Sequence, residues 1–160
     1  MKKHIAPVAA LAVAILAGCN TTRPQAAPET PALTYNISIT PEVKRAFHAG
    51  DSIEIRSITG TAPKFQTGGT YRVIGICRQQ TLKNAILYLG NTAKLGSRTI
   101  VANAGSSLSK PLPNGTTMFD ITFTLWRPGL LHVTVYDLDN HDKNDNAYAG
   151  IYLGEVALRH

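Results

Sequence analysis

The sequence predicts an all-β fold, an antiparallel β-sandwich of seven or eight strands, with a small β-barrel as the alternative. Three observations predict it. From Thr34 onward the chain breaks into short runs in which apolar and polar residues alternate with a period of two, the pattern of strands with one buried and one wet face. Clusters of Gly, Pro, Asn and Asp separate these runs, as turns require. No stretch of the domain carries a persuasive helical period. One apolar face per strand must be covered, either by a second sheet or by closing the sheet on itself.

The strands are expected near residues 34–38, 52–59, 70–78, 84–89, 98–102, 117–125, 130–136 and 148–158. In the sharpest of them Phe119, Ile121, Phe123 and Leu125 share one face, while Asp120, Thr122 and Thr124 share the other. Residues 41–48 predict one short helix, with Thr40 as N-cap and Pro41 at the first helical position. Residues 104–113 read as a loop. His132 alternates to the polar face of its strand. Cys77 lies in the apolar run Val73-Ile74-Gly75-Ile76-Cys77 and is expected to be a buried, inert thiol.

Before the domain come two segments of different character. Residues 1–18 have the three parts of an export signal: Lys2 and Lys3, an apolar run from Ile5 to Ala17, and small residues at its close. That run falls short of the roughly 20 residues a bilayer-spanning helix needs. Residues 19–33 are Cys19 followed by a stretch, Asn20 to Leu33, that holds Pro24, Pro28 and Pro31 among small and polar residues, too few of them apolar to fold. This stretch reads as a tether, which if extended at about 3.1 Å per residue reaches roughly 40 Å. Residues 34–160 form the one domain.

The close of the signal, Leu16-Ala17-Gly18-Cys19, resembles the lipobox of bacterial lipoproteins at every position. The resemblance implies cleavage before Cys19, a diacylglycerol thioether on its sulfur and an acyl chain on the freed amine. It implies attachment to a membrane without a transmembrane helix, since two or three buried acyl chains hold stably where one does not. Asn20 follows the cysteine where Asp would favour the inner membrane, so the outer membrane is the expected address, with the domain facing the periplasm or the cell exterior.

Sixteen Lys and Arg face ten Asp and Glu, a formal charge of +6 at pH 7. Two of the lysines leave with the signal, and the remaining basic residues are scattered instead of clustered, which argues against nucleic acid as a partner. With Cys19 lipidated, Cys77 is the one thiol left, so no disulfide within the chain is expected.

The segment 137–145 stands apart, because it gathers Asp137, Asp139, Asp142 and Asp145 between two apolar strands. Carboxylates this close repel unless solvent or a cation relieves them, and Ca²⁺ takes six to eight oxygen ligands. The run from Leu131 through Val135-Tyr136-Asp137-Leu138-Asp139 to Asp145 resembles the third calcium loop of C2 domains. That resemblance implies Asp137, Asp139 and Asp145 as Ca²⁺ ligands, with Asp142 as a further carboxylate. The chain departs from the C2 pattern in two ways: residues 146–153 intervene before Gly154-Glu155, and no matching first calcium loop lies upstream. A solvated turn, its aspartates and asparagines capping the backbone, is the competing reading of the same residues.

No set of residues spells a known catalytic centre. Ser107-Leu108-Ser109-Lys110 matches an S-x-x-K string, but its partner motifs are missing. The histidines have no zinc-binding spacing, and there is no nucleophile elbow or phosphate-cradling glycine loop. Tyr71, Tyr88, Tyr136 and Tyr148 could offer a sugar platform, or could pack the core. The expectation is therefore a noncatalytic, membrane-anchored binding or structural module with a protein or glycan partner in the cell envelope, with Ca²⁺ as a candidate stabiliser. The alternatives are an accessory subunit of an envelope secretion or assembly machine, and a hydrolase acting on glycan.

Overall fold

The computed structural model describes residues 31–95, 99–102, 108–140 and 147–159. These residues form ten strands and no helix: β1 (Tyr35–Asn36), β2 (Glu42–Arg45), β3 (Ser52–Gly60), β4 (Thr70–Gln79), β5 (Ala85–Leu95), β6 (Thr99–Ala102), β7 (Leu108–Leu112), β8 (Gly115–Thr124), β9 (Gly129–Asp137) and β10 (Ala147–Val156). Every ladder is antiparallel. One sheet has the order β1-β3-β4-β8, the other β2-β10-β9-β5. The far edge of β5 is shared, with β7 pairing residues 85–89 and β6 pairing residues 92–95. The sheets stay open, so the fold is the expected sandwich and not the barrel.

The core is built by alternation from both sheets. From the first come Ile58, Tyr71, Val73, Phe119, Ile121 and Phe123; from the second come Leu87, Leu89, Leu131, Val133, Val135, Ile151 and Leu153, all buried. Burial of large apolar side chains contributes about 1.5–3 kcal/mol each, which makes this inter-sheet layer the main source of stability. Packing is close enough that Gly75 is required. A Cβ there would lie 2.3 Å from the Phe119 ring and 2.6 Å from the Glu54 carbonyl oxygen.

Three expectations need correction. Residues 41–48 do not form a helix, because Glu42–Arg45 is an edge strand against β10. An isolated helix of two turns is marginal, whereas Pro41 can precede an edge strand and Val43 suits it, so pairing overrides the N-cap signal. Residues 108–112, read as loop, are β7; its proline, Pro111, sits on the sheet's edge where a missing N–H is tolerated. These two short edges raise the strand number from seven or eight to ten. Lastly, His132 does lie on the face of β9 away from the core, but that face is not wet at this point, and the side chain is fully buried.

Candidate functional site

Two turns and the start of β10 meet at one end of the sandwich. The turn between β2 and β3 is closed by the Asp51 N–H donating to the His48 carbonyl at 3.1 Å, with Gly50 at φ +92°. This brings Asp51, at the start of β3, beside the turn that leaves β4. One carboxylate oxygen accepts from the Gln80 N–H at 2.8 Å. The other accepts from the Thr81 hydroxyl at 2.5 Å and the Tyr148 hydroxyl at 3.0 Å. The His48 N–H donates to the Tyr148 oxygen at 3.2 Å, and the His48 ring meets the Tyr148 ring edge-on with centroids 4.6 Å apart.

The electrostatics follow from this network. Burial pushes the Asp51 carboxyl up, but the bonds from Thr81, Gln80 and Tyr148 and the charge of His48 outweigh it, leaving Asp51 below the usual carboxylate range. Asp51 therefore stays ionised, with both oxygens engaged. Burial, assisted by that negative charge, pushes the Cys77 thiol up to about 12, so Cys77 is buried and protonated at neutral pH.

Next to this clamp, and sharing His48 and Tyr148 with it, opens a cleft of about 450 Å³, whose walls also include Arg45, Phe47, Asp137 and Asn140. Arg45 reaches across it to donate to the Ala147 carbonyl. Asp137, at the end of β9, accepts from the Asp139 N–H at 3.0 Å, and Asp139 accepts from the Asn84 amide at 3.3 Å. The Leu138 N–H donates to the Asn84 carbonyl at 2.9 Å, tying the start of the acidic segment to the turn before β5. Asp142 and Asp145, like Cys19, lie outside the described residues. Among the described residues no group of three or more His, Cys, Asp or Glu side chains is placed to hold a metal ion.

The cleft thus has a cationic donor, a carboxylate, an amide and the rings of Phe47, His48 and Tyr148, the last two held by the Asp51 network. Such a surface can bind by complementary hydrogen bonding and ring contact. Asp51, Thr81 and Tyr148 converge although Asp51 and Tyr148 are 97 positions apart, and no local motif signals so distant a pairing.

The four tyrosines named from the sequence do not form one platform. Tyr71 is core: its hydroxyl donates to the Lys64 carbonyl at 2.7 Å and accepts from the Gln66 N–H at 2.9 Å. Tyr148 belongs to the cleft. Tyr88 and Tyr136 meet edge-on, 5.5 Å apart, and Tyr88 stacks on His132 at 5.6 Å. Tyr152 packs against the same histidine at 6.3 Å, so the outer side of the six-stranded sheet carries its own small aromatic cluster. Ser107 of the S-x-x-K string lies outside the described residues, while Lys110 donates to the Asp120 carbonyl at 3.3 Å.

Comparison with protein-family models and with curated proteins found no match for this chain.

Proposed function

We propose that this chain is a lipoprotein anchored through lipid on Cys19, and that its sandwich is a noncatalytic module using the loop-end cleft to bind a protein or glycan of the cell envelope. The observation that carries the reading is the Asp51 clamp, which holds Tyr148 of the cleft wall. Both carboxylate oxygens are occupied by donors from Thr81, Gln80 and Tyr148, so this most buried of the described acids serves to tie two turns to the start of β10. Among the described residues lining the cleft, Asp137 is the carboxylate, and Arg45 and His48 share the same walls. Glycan hydrolysis would call for a pair of carboxylates about the scissile bond. A wall residue fixed by its own hydrogen bonds, with mixed donors and acceptors around it, is the arrangement a recognition surface needs.

The lipid half of the proposal rests on the lipobox and the binding half on the cleft, and they are tested separately. Cys19→Ser is expected to move the protein from the membrane to the soluble fraction with the domain still folded; unchanged sedimentation with membranes would remove the anchor. A photo-crosslinking residue at Asn140, on the rim, is expected to give a discrete adduct in the envelope that Arg45→Glu abolishes. An adduct pattern matching that of the same probe at Thr122, on the opposite sheet, would sink the cleft as a binding site.

Ca²⁺ remains part of this proposal through Asp137, Asp139, Asp142 and Asp145. The two described carboxylates already accept from a backbone N–H and from Asn84, with Arg45 across the cleft, so bound Ca²⁺ would have to outweigh a neighbouring positive charge. A melting temperature that rises at millimolar Ca²⁺ and no longer does so in Asp137→Ala supports the site. No shift removes it.

A further inference from the structure

On the outer side of the six-stranded sheet, away from the loop end, lies a second concavity of about 250 Å³, lined by Thr40, Glu42, Leu130, Tyr152, Gly154 and Glu155. It shares no residue with the loop-end cleft. Its existence depends on a β-bulge. Tyr152 and Glu155 are three positions apart on β10, a spacing that puts side chains on opposite faces of a regular strand. The register slips between Tyr152, opposite His132, and Gly154, opposite Leu131, so that Glu155 pairs with Leu130 and returns to the face of Tyr152. Gly154 adopts φ +149°, which a residue with a side chain rarely takes. On the neighbouring edge strand Glu42 is the direct partner of Tyr152. The bulge and the pairing together place one aromatic ring among two carboxylates.

The charge of this groove runs against that of the chain. The protein carries a formal +6, yet the residues lining the groove include two acids and no base. Both glutamates are exposed, and neither has a basic partner among the described residues. The volume is below the roughly 300–1,000 Å³ of sites that enclose a whole small molecule, and suits a single inserted side chain. A tyrosine face attracts a cation, and paired carboxylates accept the several N–H donors of a guanidinium or ammonium group. We propose that this groove receives one arginine or lysine side chain of a partner protein, with Tyr152 against the cation, Glu42 and Glu155 accepting its hydrogen bonds and Leu130 against its aliphatic stem. The His132 ring, packed edge-on against Tyr152, holds that ring in position from beneath.

The test uses the ¹⁵N-labelled full chain in mild detergent, titrated with N-acetyl-arginine amide, with the citrulline analogue of the same shape and no charge, and with a chitin-type oligosaccharide. Arginine amide is expected to shift the amide signals of Leu130, Tyr152, Gly154 and Glu155, and the citrulline compound to leave them in place. The double variant Glu42→Gln/Glu155→Gln should weaken binding at least about tenfold with the rest of the spectrum unchanged. Tyr152→Phe should retain binding and Tyr152→Leu lose it. The exposed glutamates keep the test decisive if Tyr152→Leu fails to fold. Absence of shifts, equal shifts with citrulline, shifts produced by the sugar in place of arginine, or unchanged affinity in the double variant would each overturn the proposal.

Discussion

The outer faces of the two sheets differ sharply, and the difference shows what strand alternation does and does not encode. On the four-stranded sheet the face away from the core is wet. Arg72 and Asp120 form a two-pronged ion pair at 2.8 and 2.5 Å with both side chains nearly half exposed, and Met118 beside them is 75% exposed. On the six-stranded sheet the equivalent face is closed over at its middle. His132 and Thr134 are 0% and 1% exposed, and the histidine lies between the rings of Tyr88 and Tyr152. Both faces read as polar in sequence. Only the first is solvated at its middle.

That contrast requires truncations on the two outward faces to have unequal costs. Phe119→Ala, in the shared core, sets the scale at about 3–5 kcal/mol, whereas Met118→Ala, its neighbour on the wet face, should stay within about 0.5 kcal/mol. His132→Ala, also outward-facing, should resemble the core variant, at about 2 kcal/mol or more, because it opens a cavity beneath Tyr88 and Tyr152. Urea denaturation at neutral pH measures all three. A His132→Ala cost as small as that of Met118→Ala would mean that the aromatic cover is loose and the two faces are alike.

The histidine also sharpens the comparison through pH. Burial, with a smaller contribution from the charge of Lys44, lowers the pKa of His132 from 6.5 to about 3. Its Nδ1 lies 2.7 Å from the Thr134 hydroxyl, and Nε2 has no partner among the described residues. The folded protein therefore holds the ring neutral while the unfolded chain protonates it. The stability so stored is complete above pH 6.5 and is lost as pH falls from there toward 3, by about 2 kcal/mol between roughly pH 7 and pH 5. Asp51 acts lower on the scale, since a depressed carboxylate contributes above its ordinary 3.8 and loses its contribution as pH drops through and below that value. Urea midpoints at the two higher pH values isolate His132. In His132→Phe, which fills the space and does not titrate, the slope should vanish; a slope unchanged in that variant would assign it elsewhere.

These cases mark how far the sequence could be read. The alternation of Phe119, Ile121, Phe123 and Leu125 announced a buried face, and all four are buried, because a period of two is set by the strand itself. β2 and β7 were not legible. Each exists through pairing with a strand that is not its neighbour in sequence, β2 with β10 and β7 with β5, and at β2 the local signal of Thr40-Pro41 points the other way. The loop-end site was half legible. Asp137 and Asp139 stand out as a cluster, but Asp51 carries no local mark, since Gln80 and Thr81 reach it from the turn after β4 and Tyr148 from the start of β10. A spacing of three puts Tyr152 and Glu155 on opposite faces of a regular strand, and no local signal marks the bulge at Gly154 that brings them together.

The smallest effect belongs to the interaction that looks strongest on the wet face. The Arg72–Asp120 pair has the two-pronged geometry that favours guanidinium on carboxylate, raising the pKa of Arg72 and lowering that of Asp120. Both groups nevertheless remain open to solvent, where water and salt screen their attraction and ordering two long side chains offsets much of the gain. Arg72→Ala should therefore leave the urea midpoint at neutral pH nearly unmoved, with any residual difference disappearing at high salt. A large, salt-independent loss would mean that this face too is shielded, and would erase the distinction between the sheets from the opposite side to His132.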